Sequence, residues 1–151
     1  MHLLCYISVA APTVDENEIL SILESSCKNN AADGITGVLL FHNGQFLQVL
    51  EGPKSAVEAC FARICNDDRH VSVAKLLEEE LPARAFSQWS MASLGLENCS
   101  HPLRRNIIDL FNLHHRIEYM ELKRNAIVGL FVDTYLSDLQ SLRSAVNLAA
   151  Q

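Results

Sequence analysis

The sequence lacks an excess of positive charge, long apolar runs and a recognisable export signal. Twelve basic residues stand against 18 acidic ones, and the net charge of −6 argues against nucleic acid or an anionic membrane as the main partner. No apolar run approaches the ~20 residues of a membrane-spanning helix. The first residues lack the basic start and the cleavage site of a signal peptide. We therefore expect a cytoplasmic protein that is not bound to a membrane.

Metal and catalytic motifs are also missing. The five cysteines are odd in number and scattered, with no CxxC motif, and the six histidines give no HExxH pattern. Reduced thiols packed as small apolar groups, and no metal site, are the expectation. No Gly-rich phosphate loop and no Ser-His-Asp or Cys-His arrangement indicates a catalytic site.

An apolar hairpin contains the most informative residue of the chain. The run at 38–41 predicts a strand buried on both faces, Asn43-Gly44 predicts a two-residue turn, and residues 45–50 form the returning strand. Gln48 interrupts the apolar pattern of the returning strand, so its amide should be buried. An unpaired buried amide costs about 1–3 kcal/mol, so Gln48 requires a polar partner.

The periodicity of residues 1–97 predicts an α+β, ferredoxin-like fold. The predicted strands and helices follow the order β-α-β-β-α-β-β, at residues 3–7, 16–28, 38–41, 45–50, 53–66, 71–81 and 86–96. A five-stranded sheet would carry the two helices on one face. Asp15 is placed to cap the first helix, which we expect to stop at Asn29 and Asn30.

Residues 98–151 are predicted to form a separate C-terminal extension. Two helical segments are expected, at about 103–119 and 121–148, and they carry no catalytic motif. The apolar stripe of the second segment is wider than a surface helix of a monomer needs. This segment would pack on the open face of the sheet or against another chain, which suits output or homo-oligomerisation.

Three polar residues each have a plain structural explanation. Tyr6 can be a core tyrosine, Gln48 a locally satisfied strand amide, and Asn30 a helix C-cap.

We expect the first strand at the centre of the sheet, beside the strand that follows the first helix. Tyr6 and Gln48 would then project onto the helix-covered face, with Asn30 arriving there. Such a polar-rimmed apolar slot suits a flat, hydrogen-bonding ring.

The ordered set of these residues resembles the BLUF family of flavin-binding blue-light sensors. The matching features are Tyr6, the pair Asn29-Asn30 followed by 33–37 (DGITG), and the segments 46–52 (FLQVLEG), 67–70 (DDRH) and 89–91 (WSM). The resemblance covers about residues 2–96. Five features in the same order are far more specific than any one of them.

The resemblance implies non-covalent binding of an oxidised flavin, usually FAD with FMN possible, between the two helices. Asn30 would hydrogen-bond the pyrimidine edge with Asn29 beside it, and Gln48 would lie between Tyr6 and the N5 and C4-carbonyl edge. The expected apolar walls include Ile22, Leu39, Phe46 and Ile64. The ribityl and phosphate end would be held by Arg63, Asp67 and His70, with Lys28 nearby. Alternatively, Arg63 and Asp67 form a solvated i,i+4 pair.

The resemblance also implies a photocycle rather than enzymatic turnover. Light would excite the flavin, Tyr6 would donate an electron, and a proton would follow through Gln48, which is left rotated or tautomerised. Met91, or Trp89 exchanging with it, would pass the change to the last strand. The C-terminal helices would then signal to a partner protein or an oligomer.

Two other classes of function stay open from the sequence. A flavin oxidoreductase on the same fold needs substrate access to the N5 edge, which Tyr6 and Gln48 would block. A ferredoxin-like regulatory domain would satisfy Gln48 with protein alone and bind no flavin. No cyclase, phosphodiesterase or DNA-binding sequence is attached, so we expect no enzymatic activity.

Overall fold

The computed structural model of the chain describes residues 1–42, 44–84, 86 and 92–94, with the isolated residues 129, 133 and 137. The chain falls into two units, Met1–Asp109 and Leu110–Gln151, and all elements named below belong to the first. The predicted helices at 103–119 and 121–148 lie outside the described residues, apart from those three positions.

A sheet and two helices form the described part, which confirms the predicted α+β class. The elements are β1 (His2–Ala10), α1 (Glu16–Asp33), β2 (Thr36–His42), β3 (Gln45–Gly52), α2 (Lys54–Cys65), β4 (His70–Glu80) and β5 (Ala92–Leu94). The sheet is antiparallel except for the pairing of β2 with β5, which is parallel. The predicted strand at 86–96 contains the observed strand β5. Trp89 and Met91, which were assigned a role in signalling, lie outside the described residues.

The strand order of the sheet is β4-β1-β3-β2-β5. β1 therefore lies between β3 and β4 and is antiparallel to both. The expectation that β1 would lie beside β2 was wrong. The connection through α1 passes over one strand position, and β3, the returning strand of the hairpin, fills it. Tyr6 and Gln48 are consequently direct cross-strand partners.

The face of the sheet toward α1 and α2 holds the main core. Alternate strand residues pack there against apolar side chains of both helices, as strand geometry requires. This core comprises Leu4, Tyr6, Leu39, Phe46 and Leu50 from the strands, Ile19, Ile22, Leu23, Val57 and Cys60 from the helices, and Ile35. On the other face, Leu3, Cys5, Val38, Leu40, Leu47 and Val49 are also buried. The predicted burial of this hairpin on both faces is confirmed.

Helix α1 begins where the sequence predicts and ends later. The Asp15 side chain accepts a hydrogen bond of 2.9 Å from the Glu18 N–H, which confirms the N-cap. The predicted stop at Asn29 and Asn30 was wrong, because the helix continues to Asp33 through Ala31 and Ala32, which favour helix. The left-handed C-cap is Gly34, and its N–H bonds to the Asn30 carbonyl.

Glycines allow the tight hairpin of β2 and β3. His42 pairs with Gln45, which agrees with the two-residue turn predicted from the sequence. Of the two predicted turn residues, Asn43 lies outside the described residues, and Gly44 has a φ of 73°. Gly37, in β2, has a φ of 158°, and a Cβ there would overlap the main-chain oxygen of Val49. Only glycine fits this approach of the two strands.

Arg84 binds the chain that follows β4 to residues near the start of β2 and the end of β3. Its guanidinium donates to Thr36 Oγ1 at 2.7 Å, to the Glu51 carbonyl at 2.9 Å and to the Gly34 carbonyl at 2.6 Å. Two residues later, the Phe86 N–H donates to the buried carboxylate of Glu51 at 3.0 Å. These bonds join the end of α1, the start of β2 and the end of β3.

We expect Gly37→Ala to lower the free energy of unfolding by about 2 kcal/mol or more, because the new methyl group meets a main-chain oxygen that cannot move alone. Gly44→Ala is the matched control, since it also has positive φ but a Cβ there meets nothing. Its cost should be about 1–2 kcal/mol. Urea unfolding of both variants measures the difference. If Gly37→Ala is as stable as Gly44→Ala, the close approach does not matter.

Candidate functional site

A cavity of about 110 Å³ lies between α1 and α2. Of the residues predicted to form the site, it brings together Ile22, Asn29, Asn30, Gln48, Arg63, Ile64, Asp67 and His70. It is also lined by Ser25, Ser26, Cys60 and Arg69, which the sequence prediction did not assign. The cavity therefore has walls from both helices, from the turn that leads into β4, and from two strand residues, Gln48 of β3 and His70 of β4.

The other predicted site residues that the structure describes lie behind or beside the cavity. Tyr6, Leu39 and Phe46 are fully buried in the core, and Tyr6 contacts the cavity residue Gln48. Lys28 is exposed on α1 and does not line the cavity.

Helical spacing explains how the walls arise. On α1, Ser25 and Ser26 follow Ile22 by three and four residues, and Asn29 and Asn30 follow by one further turn, so all share one side of the helix. On α2, Arg63 and Ile64 follow Cys60 by the same three and four residues. This spacing would have identified Ser25, Ser26 and Cys60 from the sequence. Arg69 lies within the 67–70 segment, although no role was assigned to it.

Tyr6 is the polar partner that Gln48 requires. The Tyr6 hydroxyl donates to Gln48 Oε1 at 2.5 Å, and the two residues are 0% and 3% exposed. Burial raises the pKa of Tyr6 well above its usual value, so the phenol stays protonated and can donate at neutral pH. Gln48 thus connects a buried phenol on one side with the cavity on the other.

Asn30 lines the cavity and has an unused hydrogen-bond donor. Its main-chain oxygen accepts from the N–H groups of Gly34 and Ile35, which fixes the end of α1. Its Oδ1 lies 3.6 Å from the Sγ of Cys60. Among the described residues, its Nδ2 is the one buried side-chain polar atom without a hydrogen-bonding partner. A buried unpaired donor costs about 1–3 kcal/mol, so a ligand with an acceptor at this position fits the site.

The residues at the α2–β4 turn form a charged wall. Arg69 makes a forked contact with Asp67, with Nε–Oδ1 at 2.9 Å and Nη2–Oδ2 at 2.6 Å, and these bonds lower the pKa of Asp67. Arg63 pairs with Asp33 of α1 at 2.8 Å. The alternative of an i,i+4 pair between Arg63 and Asp67 is therefore wrong, because Arg63 pairs with Asp33 and Asp67 pairs with Arg69.

His70 is a buried residue of the cavity lining. It is 7% exposed, and its Nδ1 lies 2.8 Å from Ser8 Oγ. Its ring centroid is 4.6 Å from that of Phe46 and 6.2 Å from that of Tyr6. Burial lowers the pKa of His70, so the ring is neutral at neutral pH and forms part of the aromatic wall.

Within the residues that the structure describes, no group of three or more His, Cys, Asp or Glu side chains could hold a metal ion. In the same part of the chain, no helix combines the length and apolar character needed to cross a membrane.

Known proteins with similar sequences are light sensors or parts of them. The BLUF family model, described as sensors of blue light using FAD, matches residues 1–92. The photoactivated adenylate cyclase subunit beta of Euglena gracilis is 38% identical over 91 residues, which are 60% of this chain and 11% of that protein. The blue light- and temperature-regulated antirepressor BluF of Escherichia coli (strain K12) is 36% identical over 85 residues, 56% of this chain and 20% of that protein. The matched region thus spans a fifth or less of these relatives.

Solved structures give the same family. The dark-state structure of BlrB, a BLUF protein, is 31% identical with a TM-score of 0.62, covering 82% of this chain and 92% of that chain. A bacterial light-regulated adenylyl cyclase is 37% identical with a TM-score of 0.60, covering 70% of this chain and 30% of that chain. Because the family model spans more than half of the sequence, this chain belongs to the BLUF family of blue-light sensors that use FAD.

Proposed function

We propose that this chain is a cytoplasmic photoreceptor that holds an oxidised flavin between α1 and α2 and responds to light through Tyr6 and Gln48. The position of Gln48 carries the proposal. Its side chain lines the cavity and accepts a hydrogen bond from Tyr6 on the opposite side. A ring bound in the cavity would therefore share this amide with a phenol.

The cavity residues suit the ring of a flavin. Asn30 offers its unpartnered Nδ2 to a carbonyl of the ring, and Asn29 lies beside it on α1. Ile22 and Ile64 supply apolar walls, while Leu39 and Phe46 form the core behind Gln48. The family description names FAD. FMN has the same ring and is the alternative cofactor.

The charged wall suits the ribityl and phosphate end. Arg69 and Arg63 carry guanidinium groups that can fork a phosphate, and Asp67 can accept from a ribityl hydroxyl. His70 also lines the cavity, and Lys28 is exposed on α1, directly before Asn29.

A cavity of about 110 Å³ is smaller than most ligand pockets. We expect Arg63 to swing outward on binding, since its pair with Asp33 is exposed and such pairs contribute about 0–1 kcal/mol.

A bound flavin would supply absorption of blue light and an electron acceptor. Tyr6 can then lose an electron and release its proton along the hydrogen bond to Gln48 Oε1. The Gln48 amide has an acceptor at one end and a donor at the other. Return of the electron and proton to Tyr6 would leave Gln48 rotated or tautomerised, so that it offers the cavity a different group. Gln48 would thereby act as a two-state element.

We propose that residues 1–97 form the sensor and that 98–151 carry its output. Trp89 or Met91 would pass the change in Gln48 onward. The relatives use different outputs, since one is named as an adenylate cyclase subunit and another as an antirepressor. We expect this chain to signal through a second copy of itself or a partner protein.

The purified protein should be yellow, and blue light should shift its flavin absorption to slightly longer wavelength, with recovery in the dark. The shift follows from a stronger hydrogen bond to the ring after Gln48 rearranges. Absorption spectra before, during and after illumination test this. A colourless protein that takes up no added FAD or FMN would disprove the proposed function.

Tyr6→Phe should retain the flavin and lose the light-induced shift, because phenylalanine keeps the ring but has no hydroxyl proton to give. Tyr135→Phe, the same change at a tyrosine that is assigned no role in the proposed site, is the matched control and should shift normally. Difference spectra of both variants provide the measurement. A normal shift in Tyr6→Phe would refute the role of Tyr6 as donor.

The Tyr6–Gln48 bond should also be visible as a coupling in stability. Gln48→Leu leaves the buried Tyr6 hydroxyl without this acceptor, whereas the double variant with Tyr6→Phe removes both partners. We expect a coupling free energy of about 1 kcal/mol in the double-mutant cycle. Urea unfolding of the four flavin-free proteins measures it. Additive effects would show that the bond contributes no net stability.

A further inference from the structure

We propose that Cys60 is a positioning residue that holds the Asn30 amide with its NH₂ group toward the cavity. The site would thereby select ligands that present a hydrogen-bond acceptor at this point. Where it concerns flavin, this inference rests on the proposed function, but the bond between the two side chains exists without a ligand.

The two side chains meet across the gap between the helices. Cys60 is 6% exposed on α2, Asn30 is 1% exposed on α1, and both line the cavity. The thiol donates to Asn30 Oδ1 at a Sγ–Oδ1 distance of 3.6 Å. Because the amide has one acceptor end and one donor end, engaging Oδ1 leaves Nδ2 for the cavity. The absence of any partner for this buried Nδ2 is the independent sign that a ligand belongs there.

The thiol is chemically able to act as the donor. Burial raises the pKa of Cys60, and the nearby charge of Arg63 lowers it to a smaller extent, so the S–H group is retained at neutral pH. A thiolate could not donate and would attract the NH₂ group instead. The protonated thiol therefore favours one of the two amide orientations.

The main-chain hydrogen bonds of Asn30 do not determine how its side-chain amide is oriented. Its carbonyl accepts from Gly34 and Ile35, which fixes the backbone but leaves the side-chain amide able to turn by 180°. With the opposite orientation, Oδ1 would face the carbonyl of a bound ring, and two acceptors would repel each other. Among the contacts described, the bond from the Cys60 thiol is the one that favours one orientation of the Asn30 amide over the other.

Flavin binding to the full chain tests the consequence. Cys60→Ala should weaken FAD binding about three- to tenfold, as expected for one neutral hydrogen bond. It should also raise the infrared stretching frequency of a ring carbonyl, because Asn30 then donates to it less often. Cys60→Ser retains a donor and should recover most of both effects. Cys5→Ala is the matched control, because it removes a fully buried thiol on the opposite face of the sheet.

Two results would overturn the proposal in this experiment. One is a carbonyl band of Cys60→Ala that coincides with that of the unmodified protein, whatever the affinity. The other is a Cys60→Ser protein that matches Cys60→Ala, which would mean that Cys60 only fills space.

A second measurement uses the flavin-free protein and separates this proposal from the proposed function. The infrared S–H stretch of Cys60, isolated by subtracting the spectrum of Cys60→Ala, should move to higher frequency in Asn30→Leu, because the acceptor is lost. An unchanged S–H band would overturn the proposal. If the protein takes up no flavin but this band moves, the proposed function fails while the positioning bond stands.

Discussion

Tyr6 and Gln48 are two polar side chains placed opposite each other at the centre of an apolar sheet. The buried Tyr6 hydroxyl donates to Gln48, so the register of β1 against β3 and the chemistry of these residues depend on each other. A slip of β1 by one residue against β3 would turn Tyr6 to the other face of the sheet, away from Gln48. The same register places Leu4 and Leu50 beside them, which gives the pair a dry environment. In that environment few water molecules compete for the amide.

The local features of the fold could be predicted from the sequence, and so could the need of Gln48 for a partner. Alternation of side chains identified Gln48 as buried, Asp15 identified the start of α1, and Asn43-Gly44 identified the turn. These features depend on neighbouring residues only. The end of α1 was misjudged because two asparagines look like a stop, whereas the following alanines and Gly34 extend and then cap the helix.

Contacts between elements were harder to predict. The neighbour of β1 depends on how far the α1 connection reaches over the sheet, and no local pattern encodes that distance. Cys60 has the spacing of a cavity residue, but its role depends on the amide of another helix. Arg63 and Asp67 have i,i+4 spacing and yet bind different partners, since α1 brings Asp33 and the turn brings Arg69. Such competition between tertiary partners is invisible in a single stretch of sequence.

Arg84 connects the end of α1 to β2 and β3. One planar guanidinium holds the carbonyl of Gly34, the hydroxyl of Thr36 and the carbonyl of Glu51. An outward tilt of the helix that carries Asn30 would strain at least one of these three bonds, because their donors share a rigid frame. A movement of α1 at the cavity would therefore be transmitted to Arg84 and the chain that follows β4. This connection does not pass through the hydrogen bonds between strands. The segment between β4 and β5 is therefore mechanically connected to the end of the helix beside the cavity.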